Sequence, residues 1–350
     1  MSVFNGKKLR IEIYGESHAE KVGVSVSGFP RFAFDEKALG AFLARRKATG
    51  GVFSTSRLEA DEPVFTGVKD NEITGDFTAE IFNENVKSKD YSALYGKPRP
   101  SHADYAWHIK DGALDFSGGG RFSARLTAPF CVAGGILKQY LASRGIEIES
   151  YVSSVGEVKA RSYKNGVPSA EEIRALRDNG FPSLDNKDEI TEEIRRAKVA
   201  GDSVGGVVEC VVYGVKGVGD NLFEGLEGKI AAAVYAVPAV KGVEFGDGFN
   251  LAEMRGSIAN DPLCIENGRV KILTNRAGGI NGGIANGNPI TLRVAFRPTP
   301  SISLPQKTVD LVKGENTEIV INGRHDACVV PRALPVVESA VAIAIADEII

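Results

Sequence analysis

Short alternations of apolar and polar residues fill the first eighty positions. Leu9 to Tyr14 and Val22 to Val26 read as two half-buried strands joined by the polar turn Gly15-Glu16-Ser17-His18-Ala19. Asp35 is placed to cap a helix carrying Leu39, Phe42 and Leu43 at i, i+3, i+4 spacing, which closes in Arg45, Arg46 and Lys47. Residues 64–82 alternate again, with hairpin chemistry at Asp70-Asn71 and at Gly75-Asp76. From Ser123 to Ser143 the chain is apolar on all sides, which predicts a buried helix over those residues, with Pro129 tolerated in its first turns; a start near Arg121 would aim its free N–H groups at whatever the glycines cradle. Ile146 to Val158 predicts a strand, followed by two charged helices; the first opens with the capping pair Ser169 and Glu172. A strand at 207–213, an apolar helix at 229–237 stopped by Pro238, a strand at 290–296 and a C-terminal helix with Val336, Val337, Val341 and Ile345 inward complete the pattern. Each half holds a strand pair, a glycine loop and an apolar helix, hinting at a duplicated β-α-β unit. The alternating strands and few connecting helices predict an α+β fold rather than a doubly wound parallel sheet.

Composition narrows the function. The 350 residues include 43% hydrophobic and 25% charged positions, the proportions of a soluble globular protein with a sizeable core. A formal charge of -3 argues against nucleic-acid binding, so any anion site must be built locally from clustered arginines. Cys131, Cys210, Cys264 and Cys328 are far apart, with neither zinc-ligand nor disulfide spacing. The N-terminus has no signal-peptide core and no window has the length of a membrane span, so a cytoplasmic location is expected.

Candidate chemistry concentrates in residues 97–128, which hold His102 and His108 out of four histidines in the chain, the run Gly118-Gly119-Gly120, and then Arg121, Ser123, Arg125 and Thr127. Glycines let a bound group approach the backbone, and arginines offer fixed forks for phosphate or carboxylate. The run is neither a Walker loop nor a G-x-G-x-x-G fingerprint. Elsewhere alternatives stay open. His18 is either a turn residue or a displayed catalytic group. The Arg45–Lys47 cluster, with Arg57, Glu59, Asp61 and Glu62 beyond it, either caps a helix or is aimed at a site. The Gly-Gly pairs within 275–287 are either tight turns or the place where a flat ring or another backbone packs.

With these pieces in order, the chain resembles the chorismate synthases. The resemblance runs through GESHA at 15–19, RPSHADYAWHIKDG, DFSGGGRFSARLTA, VKGVEFGDGF, NRAGGINGGIANG, RPTPS and GRHDACVVPRALPVVE. It implies one chorismate synthase domain over residues 1–350, a sandwich with core helices between antiparallel sheets. It also implies 1,4-anti elimination of phosphate from 5-enolpyruvylshikimate 3-phosphate, dependent on reduced FMN without net redox change. Carried over by motif, His18 protonates the leaving phosphate, His102 protonates or holds the reduced flavin, and Asp326 acts in removing the ring proton. Arg46, Arg99, Arg125 and Arg324 would bind substrate. Arg121, Ser123, Ala239, Gly282, Arg297, Thr299, Ser301 and Arg324 would contact the flavin. His108 falls outside the matched positions and is assigned to structure.

The chain departs from the family pattern at Ser101, Phe122, Leu126, Pro238, Val52 and Pro300, which puts individual flavin and nicotinamide contacts in doubt. That motivates an alternative, a flavin- or phospho-ligand-binding protein of the same fold without turnover. The resemblance further implies a homotetramer. Some members reduce their own flavin with NADPH; the short chain here is expected to depend on an external flavin reductant.

Overall fold

The computed structural model describes residues 1–47, 60–83, 94–116, 118–178, 181–321 and 326–350. In chain order its elements begin with β1 (Ser2–Asn5), β2 (Arg10–Gly15), β3 (Lys21–Ser27), β4 (Phe32–Ala33), α1 (Glu36–Ala44), β5 (Val64–Lys69) and β6 (Glu72–Phe82). The strands form one antiparallel sheet in the order β1-β2-β3-β6-β4, with β5 also on β6. Next come α2 (Asp104–Asp111), α3 (Thr127–Ala142), β7 (Glu147–Val155), β8 (Val158–Lys159), α4 (Ala170–Asp178), α5 (Lys187–Val199), β9 (Gly206–Tyr213), α6 (Leu226–Tyr235) and β10 (Val240–Phe245). The remainder is α7 (Gly256–Ala259), β11 (Leu263–Glu266), β12 (Arg269–Ile272), β13 (Ile280–Asn281), β14 (Ile284–Ala285), β15 (Ile290–Phe296), β16 (Gln306–Asp310), β17 (Glu315–Ile319) and α8 (Val330–Ile349). The second large sheet is antiparallel in the order β10-β15-β9-β7-β8.

The fold is α+β. Helix α3 packs on β3 and β6 of the first sheet, α8 packs on β7 and β9 of the second, and the two helices pack on each other between the sheets. Each half of the chain therefore contributes a sheet and then the apolar helix that covers it. The close fit of the helices is written in Gly134-Gly135. A Cβ at Gly134 would lie 2.1 Å from Cβ of Ser339 on α8, and one at Gly135 would lie 2.8 Å from side-chain carbons of Leu39 and Phe42 on α1. A methyl at either point would force the helix layer apart.

One buried carboxylate cross-links four elements. Glu338 on α8 is fully buried and accepts both terminal nitrogens of Arg45 at 2.8 and 2.6 Å, Nζ of Lys138 on α3 at 2.6 Å and Oγ of Ser150 on β7 at 2.7 Å. Two cations and a hydroxyl satisfy the charge that burial would otherwise penalise heavily. Because Arg45 follows the end of α1, the same contact fixes where Arg46 begins.

Several sequence expectations are refined. The Asp35 cap is present, its carboxylate accepting from the Ala38 amide at 3.0 Å, and Ser169 caps α4 through the Glu172 amide at 3.1 Å. Asp70-Asn71 makes the hairpin between β5 and β6, with φ of 49° and 60°. No turn forms at Gly75-Asp76, because β6 runs on through it to pair with β3. The helix expected from Ser123 starts instead at Thr127, preceded by single 3₁₀ turns at Gly120–Phe122 and Ala124–Leu126. The Gly-Gly pairs of 275–287 bring backbones together: a Cβ on Gly278 would meet the Gly246 nitrogen at 2.4 Å, and one on Gly283 the Asp220 carbonyl at 2.1 Å.

Two stability outcomes follow. Glu338→Ala leaves Arg45 and Lys138 without their buried counter-charge, and chemical denaturation is expected to show a loss of about 3–5 kcal/mol. Ser101 sits at φ 57°, left-handed backbone that suits glycine. Ser101→Gly is therefore expected to raise unfolding stability by about 1 kcal/mol; an unchanged or lower denaturation midpoint would contradict that account of the strain.

Candidate active site

A cavity of about 350 Å³ opens where the two halves meet, a size typical of small-molecule sites. Its floor is apolar, made by Val329, Ala333 and Val336 around the start of α8 together with Val237 and Phe296. Its rim is strongly polar.

The first wall is the turn between β2 and β3. Ser17 and His18 are held there because the Ser17 amide donates to the Gly120 carbonyl at 3.3 Å and Asn83 Nδ2 donates to the Ala19 carbonyl at 2.7 Å. Nε2 of His18 lies where a Cβ of Gly118 would be, 2.0 Å from that position, and Gly118 has φ 59°. Only glycine lets the imidazole lie against this backbone. The hydroxyl of Ser17 is buried in the lining and, among the described residues, has no hydrogen-bond partner.

Arginines form the second wall. Asp61 bridges two of them, Arg46 binding one carboxylate oxygen and Arg125 the other. Arg46 also donates to Thr127 Oγ1 at 3.2 Å, and Arg125 Nε to Asn83 Oδ1 at 2.7 Å. Burial would push the Asp61 carboxyl up, but the two guanidinium groups overcome it and hold it below the usual range. Arg99 is gripped by Asp104 through Nε at 2.7 Å and Nη2 at 2.8 Å, and it donates to the Gly118 carbonyl at 2.5 Å. The same Asp104 meets Nδ1 of His102 at 2.5 Å, which fixes the ring with its other nitrogen facing away from that carboxylate.

The third wall comes from the C-terminal half. Pro238 and Ala239 line the cavity, and Ala239 has φ 73°, a strained conformation for a residue with a Cβ. The Arg297 amide donates to the Ala239 carbonyl at 3.0 Å, and Thr299 Oγ1 donates to the Asp326 carbonyl at 3.0 Å. These contacts lock the 297–301 loop, Ala239 and Asp326 into one edge. Arg332 reaches Asp326 Oδ2 at 2.5 Å.

Most of the residues singled out from sequence converge here: His18, His102, Asp326, Arg46, Arg99, Arg125, Ser123, Ala239, Arg297, Thr299 and Ser301 all line the cavity. Two lie elsewhere. Arg121 lines an adjoining cavity and stacks 4.8 Å over the Trp107 ring, against which Phe122 also packs edge-on at 5.5 Å. Gly282 is in the turn between β13 and β14 and does not line the cavity. Arg324, with His325, and Val52, with Arg57 and Glu59, lie outside the described residues. Of the other departures, Phe122, Pro238 and Pro300 line the cavity, and Leu126 packs against the core. His108 Nδ1 donates to the Ala113 carbonyl, 2.8 Å away at the end of α2, a helix-terminal role.

Three groups went unread in the sequence: Asp61 as the bridge, Asp104 as the partner of both Arg99 and His102, and Arg332. Asp61 stood in a noted acidic cluster, and Asp104 is spaced two residues from His102, a signal that could have been read. Arg332 had none, because six residues of separation acquire meaning only once a turn folds back. Among the described residues, arginines 46, 99, 125, 297 and 332 of the lining stand with aspartates 61 and 326 and with Asp104 behind Arg99, an excess of two positive charges in a chain whose formal charge is -3.

Asp104 gives a measurable pH signature. Burial alone raises its carboxyl, but hydrogen bonds from Arg99 and His102 bring it down to about 2. A depressed folded-state value stabilises the protein above the unfolded value near 3.9, and that contribution disappears as pH falls through about 2. Acid titration of stability from pH ~4 to ~2 should cost the wild type about 2 kcal/mol more than Asp104→Asn; parallel curves would contradict the assignment.

Residues 9–350 match the chorismate synthase family. The chain is 44% identical to the chorismate synthase of Thermococcus kodakarensis over 99% of its own length and 97% of that protein. It is 40% identical to the one from Dehalococcoides mccartyi over 99% and 96%. A crystal structure of chorismate synthase superposes with a TM-score of 0.74 at 26% identity, covering 98% of this chain and 92% of that one. Cavity, fold and sequence point the same way, and the chain belongs to the chorismate synthase family.

Proposed function

We propose that this chain is a working chorismate synthase, a lyase of aromatic amino acid biosynthesis. It would eliminate phosphate from 5-enolpyruvylshikimate 3-phosphate with reduced FMN bound beside the substrate. One observation carries the reading: His18, Asp326 and a bank of arginines, drawn from opposite ends of the chain, line the same cavity.

The chemistry of the lining suits both ligands. The substrate bears a phosphate and two carboxylates, and Arg46, Arg99 and Arg125 keep their charge at any working pH. Arg324, from a segment outside the described residues, remains part of the proposed substrate set. A flat apolar ring matches the floor of Val329, Ala333 and Val336, and the buried Ser17 hydroxyl, without a hydrogen-bond partner among the described residues, offers a hydrogen bond to whatever fills the space. Ser123, Ala239, Arg297, Thr299 and Ser301 would hold the flavin. Arg121 and Gly282 stand outside this lining, so any flavin contact they make must come from beyond it. When bound there, reduced FMN would supply the electron density that this elimination needs.

The protein's part is placement and proton management. Asp326 would accept the ring proton, leaving the C–H electron pair to form the new double bond. The C–O pair leaves with phosphate, and His18 would protonate it, imidazole being suited to neutral pH. His102, braced by Asp104, would hold the reduced flavin. The arginines would stabilise the growing negative charge on phosphate.

The chain is further proposed to act as one domain, in the cytoplasm, as a homotetramer supplied with reduced flavin by an external reductant.

Anaerobic incubation with photoreduced FMN and the enolpyruvyl substrate is expected to release phosphate and form chorismate in equal amounts, with oxidised FMN inactive. Flavin or substrate binding without phosphate release would favour a non-catalytic binding protein, for which Phe122, Pro238 and Pro300 in the lining are the motive. Asp326→Asn and His18→Ala are each expected to lower kcat by roughly 10²–10⁴-fold; a variant within twofold of wild type would remove that residue from the mechanism.

A further inference from the structure

Arg332, in the first turn of α8, turns back on the segment that precedes its own helix. Its Nη1 donates to Asp326 Oδ2 at 2.5 Å while its Nε donates to the backbone carbonyl of Arg46 at 2.9 Å. The guanidinium also lines the cavity, and both partners of the ion pair are largely screened from solvent, at 21% and 15% side-chain exposure. One planar group thus spans two pieces of the site that are 280 residues apart in sequence, the loop of Asp326 and the end of α1. The peptide of Asp326 is independently fixed by Thr299 Oγ1 at its carbonyl. Backbone and carboxylate are each held, by different elements.

Resting on the reading of Asp326 as the proton acceptor, we infer that Arg332 is a positioning residue for proton removal. Its fork holds the Asp326 carboxylate and the Arg46 backbone in one frame, so that the base and a substrate-binding cation keep a fixed separation. The inference needs an arginine specifically. A guanidinium presents several N–H groups in a rigid plane and serves two acceptors at once, whereas a lysine is a point charge on a flexible stem. Burial draws the Arg332 proton affinity below the usual arginine value against the opposing pull of Asp326, a setting in which the ion pair is strong because water is scarce. Among the described residues, the other charged or titratable groups around the pair are Arg46 and Asp61, with Arg297, Arg125, Arg99, His18 and His102 also in the cavity lining. The Arg332 contact, at 2.5 Å, holds Asp326 Oδ2 from the side of α8.

Misplacing a reacting group by an ångström can cost ~10²-fold in rate. Arg332→Ala is therefore expected to lower kcat by about that factor while KM for the phosphorylated substrate changes by less than about threefold. A primary isotope effect, measured with substrate deuterated at the ring carbon that loses its proton, should grow as proton removal becomes the slow step. Arg332→Lys should recover only a minor part of the rate. Millimolar guanidinium chloride, far below denaturing concentrations, should restore about a tenth or more of the lost activity to Arg332→Ala and none to Asp326→Asn. Wild-type kcat and isotope effect in Arg332→Ala, or a folded Arg332→Ala that guanidinium does not rescue, would overturn the inference. Where the alanine variant does not fold, Arg332→Lys carries the test, and a wild-type isotope effect there would count against it. Calorimetry without substrate separates this idea from the proposed activity. Guanidinium should bind Arg332→Ala and not the double variant Arg332→Ala/Asp326→Asn, whether or not the wild type forms chorismate, and absence of binding to the single variant would overturn it.

Discussion

The site depends on keeping several like charges together in a buried space, and Asp61 makes that possible. Arg46 arrives from the end of α1 and Arg125 from the turn before α3, and each takes one oxygen of the same carboxylate. Without the bridge their mutual repulsion, strengthened by the low dielectric of the cavity, would drive both side chains toward solvent. With it they stand side by side, still carrying N–H groups that an incoming anion can use. Asp104 does the same for Arg99, and Asp326 for Arg332. The cavity is therefore a preformed arrangement of paired charges with a modest positive surplus, so that much of the cost of ordering it is met in folding rather than on binding.

The bridges in turn rest on the helical layer. Glu338 holds Arg45 and so the end of α1, while Gly134 and Gly135 let α1, α3 and α8 close on one another. Loosening that layer would move Arg46 relative to Arg125 and Asp326 even though no cavity residue had changed. The chain of cause runs from small residues in α3, to helix spacing, to the separation of charges that would bind substrate.

The regular elements were legible because their signals are local. Apolar spacing in α1 and α3, the Asp35 and Ser169 caps and the Asp70-Asn71 turn all act within a few residues. The helix start was misread for a reason of the same kind: the composition of 121–126 is compatible with α-helix, yet Ser123 in extended backbone splits it into two 3₁₀ turns. At the site, motif resemblance brought His18, His102, Asp326 and the arginines into view, but it could not supply pairing. That Asp61 serves two arginines, or that Arg332 bends back to Asp326, is decided by tertiary packing. Gly282 keeps its place in the motif and sits in the turn between β13 and β14, away from this cavity's lining.

Helix α8 is at once the spine of the core and the floor of the cavity. The same turns that bury Val330, Leu334 and Val337 against the interior present Ala333 and Val336 to the ligand space. Substitutions that change packing on one face of these turns must alter the contour of the other. The usual separation between residues that keep a protein folded and residues that choose its ligand does not hold along this helix. Sequence drift there is confined from both sides, and an effort to make the protein more heat-resistant by refilling its interior would also be reshaping what it binds.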